Sequence, residues 1–338
     1  MDRTPLNDTE GPGIFESVPN LSCARDAGLL DELGARMRDA GVLVVDRSAD
    51  VDHRRSVWTW LGTPTAIERA ASRCLELLNE RRRLAQHRGV HPRTGLVDVL
   101  PWIPLREVVG SDSPLSAATT IQASTQDAAR DAARRTGGRL AERHEIPVFF
   151  YEDAAPSAAA GTAGDRRNLA LHRRRLLQGN HLEIPPGWLP DAGPNRPHDH
   201  LGALMVGARR PLIAFNLDLA TDDVRVARAI AGAIRQTAEG GLPGVKALGL
   251  FLPERRCAQV SVNLVDARRT TLPELVARVR DEAHRRGHQI RRGERIGLLT
   301  ATAVAGASAD DLALDTLDPD HLIETHVARL LGQARRRR

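Results

Sequence analysis

The chain is short of the residues that mark secreted and membrane proteins. Only three cysteines, Cys23, Cys74 and Cys257, occur in 338 residues, and none forms a short-spaced pair typical of a zinc site or a disulfide framework. No apolar run approaches the length of a membrane span, and the first residues lack the apolar core of a secretory signal. We therefore expect a cytoplasmic protein that neither binds a membrane nor carries disulfides.

Lysine and aromatic residues are also scarce. Lys246 is the only lysine among 48 basic residues, so arginine carries the formal net charge of +5. A guanidinium forms paired hydrogen bonds with carboxylates and phosphates, which suits an anionic partner. Aromatic residues make up only 3% of the chain and 43 acidic residues are mixed among the basic ones, which argues against a nucleic-acid groove. A solvated surface of biased composition would also account for the arginines.

Hydrophobic periodicity predicts the same order of elements, β-α-β-β-α-β, in both halves of the chain. This order is that of two ferredoxin-like subdomains, an α+β fold in which helices cover one face of a mixed sheet and leave the other face to a partner. The proline- and glycine-rich stretch 185–197 predicts the boundary, with subdomains over 1–186 and 187–338, the latter ending in a helix over 318–331. The predicted elements of the first half are strands over 14–18, 42–45, 55–61 and 96–105 and helices over 26–38 and 64–78, followed by a helix over 125–144 and a strand over 148–151. Those of the second half are strands over 212–217, 247–252, 259–264 and 295–299 and helices over 221–238 and 272–285.

One loop stands out as a candidate active-site segment. Residues 89–98 read Gly-Val-His-Pro-Arg-Thr-Gly-Leu-Val-Asp, which places His91, Arg93 and Asp98 close together in the chain. Pro92 fixes its own φ and Gly95 admits φ values closed to other residues, so the loop can hold these side chains at set angles. An isolated loop histidine is more often solvated, and an arginine here could instead cap the loop through backbone carbonyls.

The loop resembles the His-Pro-Arg-x-Gly-x-x-Asp signature of glutamate formimidoyltransferases, the folate-dependent enzymes of histidine breakdown. Further segments resemble that family's motifs in the same order, so that the resemblance runs from about residue 13 to about residue 331. These segments are residues 16–22 (Glu-Ser-Val-Pro-Asn-Leu-Ser), 46–57, 101–105, 147–151, 202–216, 258–264, 293–298 and 317–324. The resemblance implies a single-function enzyme without a cyclodeaminase domain, in which two sheets face a central crevice that binds folate.

The resemblance also implies the reaction, which is transfer of a formimidoyl group from formimidoylglutamate to tetrahydrofolate, the acceptor substrate. The attacking nitrogen must lose a proton and the departing nitrogen must gain one, and a histidine with a pKa near neutrality suits both steps. His91 matches the family's catalytic histidine. We expect Asp98 or Asp50 to orient its ring, as a carboxylate does for other catalytic imidazoles.

Arginines are the candidates for binding the carboxylates of glutamate and folate, and we assign this role to Arg55, Arg93 and Arg209. The other candidate binding residues are Asn20, His53, Gly95 and Asn263. Asn20 follows a proline and could equally serve as a turn former. We expect the active protein to be a homodimer.

No metal site is expected. His87 and His91 are four residues apart, a spacing that suits metal binding on a helix, but the intervening glycine and the following proline oppose a helix there. His198 and His200 are better explained as a solvated loop.

Several residues depart from the family motifs, among them Cys23, Ala24 and Arg54. Cys23 and Ala24 replace a glutamate and a glycine, and Arg54 replaces an asparagine. Loss of a carboxylate and gain of a guanidinium would make the expected pocket more positive, which favours a substrate with more negative charge. A divergent enzyme that moves a formimidoyl or related one-carbon unit to or from another substrate, in specialised metabolism, therefore stays open as an alternative. A noncatalytic folate-binding or assembly protein is the third hypothesis.

Overall fold

The computed structural model describes residues 13–86, 92–110, 113, 115, 118, 121, 123–156, 168–178 and 181–336. The chain divides between Arg209 and Arg210 into two compact units. Both combine helices with sheets, which confirms the predicted α+β class. Within the described ranges, no helix has the length and apolar character needed to cross a membrane.

The first unit is built on a sheet with helices between its strands. Asp26 caps the first of these helices by accepting a hydrogen bond from the Leu29 backbone N–H, and Thr63 with Pro64 opens the second. The elements are β1 (Phe15–Ser17), β2 (Asn20–Leu21), α1 (Ala27–Asp39), β3 (Leu43–Asp50), β4 (Arg55–Gly62), α2 (Pro64–Arg81), β5 (Val97–Pro104), α3 (Leu105–Val109), α4 (Gln126–His144), β6 (Val148–Glu152), α5 (Leu169–Leu176), β7 (Leu177–Gln178), β8 (His181–Leu182) and β9 (Leu204–Ala208).

Seven of these strands form one mixed sheet among the described residues. β1 and β2, separated by Val18 and Pro19, each pair antiparallel with β4 on one side and β5 on the other. β3 pairs antiparallel with β4 at one edge. β9 pairs parallel with β5, and β6 pairs parallel with β9 at the other edge. The order β3-β4-β1/β2-β5 agrees with the predicted β-α-β-β-α-β arrangement, and β9 and β6 extend it.

Alternation along the strands sends apolar side chains to both faces of this sheet. On one face, Trp58, Trp60 and Trp102 join the apolar side chains of α1, α2 and α4 in the main core. On the other face, Phe149 and Met205 belong to a second apolar cluster that includes residues of α5. The face that the sequence analysis left free for a partner is therefore partly covered, at the β6 end, by the unit's own α5.

The second unit has the predicted β-α-β-β-α-β order without additions to its sheet. Its four strands lie in the order β11-β12-β10-β13, all antiparallel, and the helices Val224–Ile234 and Leu272–His284 pack apolar side chains against the buried strand residues. The elements are β10 (Ile213–Leu219), α6 (Val224–Ile234), β11 (Val245–Leu252), β12 (Cys257–Leu264), α7 (Leu272–His284), β13 (Ile290–Ile296), α8 (Ala301–Val304) and α9 (Ile323–Arg336).

The boundary between the units lies further along the chain than residues 186 and 187, where the proline- and glycine-rich stretch had suggested it. The reason is β9, which pairs with both β5 and β6 and so belongs to the first sheet. The turns of residues 185–197 lead back into the first unit rather than out of it; for example, Ala192 accepts a hydrogen bond from the backbone N–H of Val148.

Two neighbouring glycines of α4 predict opposite effects of the same substitution. A Cβ on Gly137 would lie 2.5 Å from Cε1 of the packed Phe150 ring, whereas a Cβ on Gly138 would meet nothing within 4 Å. Gly138→Ala should raise the free energy of unfolding by about 0.5–1 kcal/mol, because alanine loses less backbone entropy in a helix. Gly137→Ala should lower it by about 1–3 kcal/mol through overpacking. Chemical denaturation of both variants measures the pair, and stabilisation by Gly137→Ala would contradict this packing.

Candidate active site

A β-bulge places Asp98 where the regular alternation of β5 would not. Asn20 of β2 lies opposite Val99, and the next residue, Leu21, lies opposite Val97, so Asp98 is the additional residue on β5. A bulge of this kind redirects a side chain and is common near functional sites. The carboxylate of Asp98 is 1% exposed, yet it contacts polar groups from three different parts of the first unit.

Both oxygens of the Asp98 carboxylate accept hydrogen bonds. Thr94 donates its backbone N–H at 2.7 Å and its hydroxyl at 3.0 Å to Oδ1. Arg173 donates from Nη2 to Oδ2 at 2.6 Å, and Nη2 of Arg55 lies 3.6 Å from the same oxygen. The loop before β5, the start of β4 and helix α5 therefore meet at one buried carboxylate.

The partners of Asp98 keep it ionised. Burial by itself raises the pKa of this carboxyl, but Arg173, Arg55 and the hydrogen bonds from Thr94 outweigh that effect and hold the pKa below its usual value. A carboxyl in this state carries a fixed negative charge at neutral pH. It forms ion pairs with Arg173 and Arg55.

The same site holds more positive charge than Asp98 neutralises. Burial lowers the pKa of both Arg55 and Arg93 to about 10; Asp98 opposes this shift in each case, and repulsion from Arg173 adds to it. Arg55 and Arg93 therefore stay charged near neutral pH. We call Arg55, Arg93, Arg173 and Asp98 the arginine cluster. Its excess of cations can bind an anion through paired, charge-assisted hydrogen bonds.

Asn20 acts on this cluster through Arg55. Its side-chain oxygen accepts a hydrogen bond from Nε of Arg55 at 2.9 Å, and its Nδ2 donates to the backbone oxygen of Val18 at 3.0 Å. Asn20 therefore orients a guanidinium in addition to shaping the turn between β1 and β2.

Gly95 permits a close approach of two backbone segments. It forms an isolated bridge with Gly202, and a Cβ at this position would lie 2.1 Å from the backbone oxygen of Ala203. The hydroxyl of Ser22 donates to the backbone oxygen of Gly95 at 2.8 Å, and the backbone N–H of Leu96 donates to Leu201 at 2.9 Å. Gly95 thus fixes the end of the histidine loop by packing.

The remaining predicted site residues lie in several places. His91 lies outside the described residues, as does His87. Asp50, the last residue of β3, accepts a hydrogen bond from the backbone N–H of His53 at 2.7 Å in the turn before β4, and both residues are buried. Arg209 donates its backbone N–H to Trp102 at 3.0 Å.

Arg209 also acts on a buried tyrosine of β6. Burial raises the pKa of Tyr151 to about 12, and Arg209 opposes that rise. Asn263 lies in the second unit, where it is exposed on β12 opposite Ala214 and Lys246. The structure therefore brings together Asn20, Arg55, Arg93 and Asp98 of the predicted set.

Sequence reasoning missed Arg173, which lies 2.6 Å from Oδ2 of Asp98. Its helix α5 begins after Asn168, whose Oδ1 accepts a hydrogen bond from the backbone N–H of Ala170 at 2.9 Å. An asparagine cap followed by buried His172 and Leu176 at helical spacing was the available signal for this helix. Nothing in the local sequence indicates that Arg173 reaches a carboxylate 75 residues away.

Comparisons with known proteins decide the family. The family model described as "Formiminotransferase domain, N-terminal subdomain" matches residues 14–209, and the model described as "Formiminotransferase domain" matches residues 214–331. The chain belongs to the formiminotransferase family. It is accordingly an enzyme, a transferase of one-carbon groups, and the resemblance drawn from the motifs is confirmed.

Curated relatives match this formiminotransferase over most of its length. The glutamate formimidoyltransferase of Streptococcus pyogenes serotype M1 is 32% identical over 317 residues, which cover 93% of this chain and 98% of the relative. That of Thermoplasma acidophilum is 32% identical over 319 residues, 92% of this chain and 96% of the relative. The formimidoyltransferase-cyclodeaminase of Mus musculus is 30% identical over 331 residues, 94% of this chain but 56% of the relative.

Cys23 and Arg54, the two departures that were expected to change the charge of the pocket, have different surroundings. Cys23 is 6% exposed in the main core of the first unit, where burial raises the pKa of its thiol to about 11 and its hydrogen-bond partner is Ser56. The expectation that Cys23 acts on the charge of the pocket is therefore corrected, because its environment is apolar packing. Arg54 precedes Arg55, adopts a φ of 47°, and contributes to the lowered pKa of Arg93.

A second buried polar group lies on the sheet of the second unit. Arg255 donates to Asp218 at 3.1 Å and to Glu294 at 2.9 Å, and Gln259 donates to Asp218 at 2.7 Å. Here the negative charges of Asp218 and Glu294 are balanced by the positive charges of Arg255 and Arg292; Nη2 of Arg292 lies 3.8 Å from Asp218. This balance of charge distinguishes the group from the arginine cluster.

The paired histidines are part of a turn. His198 uses Nδ1 to accept hydrogen bonds from the backbone N–H groups of His200 and Leu201, at 3.1 and 3.2 Å, and His200 contacts Asn79. In the described parts of the chain, no three histidine, cysteine or acidic side chains are placed to hold a metal ion.

The buried position of Cys23 predicts that a glutamate is poorly tolerated there. Cys23→Glu should lower the free energy of unfolding by about 3 kcal/mol or more, because a carboxylate would replace a thiol among apolar side chains. Burial raises the pKa of such a carboxyl above its unfolded value, so the loss should grow as the pH rises from about 4 to 7. Denaturant unfolding against pH measures this, with Cys23→Ala as the uncharged control. An unchanged stability at pH 7 would place position 23 outside the core.

Proposed function

We propose that this formiminotransferase moves the formimidoyl group of N-formimidoylglutamate to tetrahydrofolate. The observation that carries the proposal is the arginine cluster, a buried excess of cations that begins at Arg93, two residues after His91. The donor is a dicarboxylate and folate ends in a glutamate, so both substrates carry the groups that guanidiniums bind best. The names of the two bacterial and archaeal relatives support the same reaction.

The reaction requires one proton to change place. A secondary amine of the reduced pterin attacks the formimidoyl carbon, forming a C–N bond and a tetrahedral adduct. The C–N bond to glutamate then breaks, and the proton lost by the pterin nitrogen is returned to the nitrogen of glutamate. In this proposal His91 accepts that proton and donates it again, a role worth about 10² to 10⁴ in rate.

The arginine cluster contributes by holding the substrates rather than by transferring protons. Asp98 is engaged by Thr94 and Arg173 and stays ionised, while Arg55 and Arg93 stay protonated at neutral pH. Guanidiniums fixed in this way can orient a carboxylate without rearranging. Positioning two reactants turns a bimolecular step into an effectively unimolecular one, which lowers the activation barrier by about 7–11 kcal/mol at best.

A direct assay of the purified protein with N-formimidoylglutamate and tetrahydrofolate tests the function. We predict that His91→Ala folds normally and loses at least about a hundredfold in turnover, the scale of a lost general base. His87→Ala is the matched control, since it removes a histidine from the same stretch but outside the motif. Near-normal turnover in folded His91→Ala would remove this role, and a wild-type enzyme that is inactive with both substrates would remove the proposed reaction.

A divergent substrate remains the second candidate, and Arg54 favours it. At a φ of 47°, a residue with a side chain is strained by about 1–2 kcal/mol relative to the right-handed region, and asparagine or glycine is better tolerated. Keeping an arginine there adds a cation beside Arg93. A substrate with one more negative charge than formimidoylglutamate would use that cation.

Substitution of Arg54 separates the two candidates. With a divergent substrate, Arg54→Asn should raise kcat/KM for formimidoylglutamate by about fivefold, the equivalent of about 1 kcal/mol of charge interaction in a solvated site. Arg54→Lys keeps the charge and should stay near the wild type. A lower kcat/KM in Arg54→Asn would instead show that Arg54 serves formimidoylglutamate itself, and it would reject the divergent substrate.

A further inference from the structure

We propose that Arg173 is a substrate-binding residue whose Nε donates a hydrogen bond to a carboxylate oxygen of the glutamate part of the donor. This inference rests on the proposed function, which supplies the donor. It adds helix α5 to the site and assigns separate roles to Arg173 and to its neighbour His172.

The first observation is a buried donor without an acceptor. The Arg173 side chain is only 17% exposed, and its Nη2 is taken by Asp98. Its Nε is buried and has no hydrogen-bond partner among the residues that the structure describes. An unsatisfied N–H on a charged group is costly, so a site that keeps one is suited to a ligand that supplies the missing acceptor.

The second observation is the balance of charge around this donor. Arg55, Arg93 and Arg173 share the single negative charge of Asp98, and the lowered pKa values of Arg55 and Arg93 reflect their mutual repulsion in addition to burial. One bound carboxylate would offset part of this repulsion and satisfy the Arg173 Nε at the same time. A neutral ligand could satisfy the Arg173 Nε but would not offset the repulsion between the guanidiniums. We therefore assign a carboxylate.

The third observation is that hydrogen bonds of the neighbouring residue His172 fix the position of the helix that carries Arg173. His172 is fully buried, and Trp188 donates its indole N–H to Nδ1 of His172 at 3.2 Å. An indole nitrogen can only donate, so Nδ1 is the unprotonated nitrogen. Nε2 therefore carries the proton and donates it to the backbone oxygen of Phe150 at 3.1 Å.

These bonds tie α5 to strand β6. The His172 ring also contacts the rings of Phe149 and Trp188 edge to face, with centroids 5.7 and 5.3 Å away. Both of its nitrogens are engaged inside the protein, so His172 is a positioning residue that fixes the direction of Arg173. Asp98 is a second positioning residue, because it holds the other end of the same side chain through Nη2.

Calorimetric binding of N-formimidoylglutamate and of L-glutamate, together with kcat and KM, tests the proposal. Arg173→Ala should weaken binding of both ligands and raise the KM for formimidoylglutamate by about tenfold or more, the scale of a lost charge-assisted hydrogen bond, with a smaller change in kcat. Arg173→Lys keeps a cation for Asp98 but lacks Nε, so it should fold and still bind weakly. Arg174→Ala removes an exposed arginine from the same helix and should match the wild type.

His172 variants test the positioning role separately. His172→Ala should raise the KM in the same direction as Arg173→Ala, while His172→Gln, which can still donate to the Phe150 oxygen, should recover part of the loss. A purely structural role would lower stability without this split between KM and kcat.

The two proposals fail in different ways. Wild-type binding of both ligands by Arg173→Lys, with an unchanged KM, would overturn the role of Arg173, as would absence of any binding to the wild-type protein. If formimidoylglutamate and glutamate bind through Arg173 but no transfer to tetrahydrofolate occurs, the subsite stands and the proposed reaction falls.

Discussion

The buried ion pair between Asp98 and Arg173 is the contact on which the architecture of the candidate site depends. A carboxylate that is 1% exposed is tolerated only when charged and hydrogen-bonding partners surround it. Those partners come from the loop before β5, from β4 and from α5, so satisfying one charge fixes three segments together. The bulge at β5 is the local feature that makes this possible, because a regular strand would direct residue 98 differently.

The same contact explains part of the excess of arginine over lysine in the chain. Arg225, Arg268 and Arg329 fit the simple explanation of a solvated surface, because they form exposed pairs with nearby aspartates that contribute little to stability. Arg55 and Arg173 differ because they are largely buried against one carboxylate. A planar guanidinium can hold Asp98 with one nitrogen and offer another to a ligand, which the compact ammonium of a lysine does less well.

The sequence predicted most strands and helices of the two units and missed β9 and α5. The spacing of apolar residues revealed β10, α1 and α7, each of which contributes apolar side chains to a core. β9 has no alternating pattern, because it is buried throughout its length between parallel neighbours. Asn20, Arg55, Arg93 and Asp98 could be found through motifs along the chain. Arg173 could not, since its partner is 75 residues away and no short motif links the two.

Under the proposed function, substrate binding and proton transfer belong to groups that respond differently to pH. Arg55 and Arg93 have pKa values lowered only to about 10, and the pKa of Asp98 is held below its usual value, so the charge of the arginine cluster stays constant through the neutral range. A histidine changes its charge in that range. In the proposed reaction His91, which only Pro92 separates from Arg93 in the sequence, takes and returns a proton while the charges that bind the substrate stay fixed. If the proposed reaction holds, the base can then act in both steps of the transfer without weakening the binding of the carboxylates.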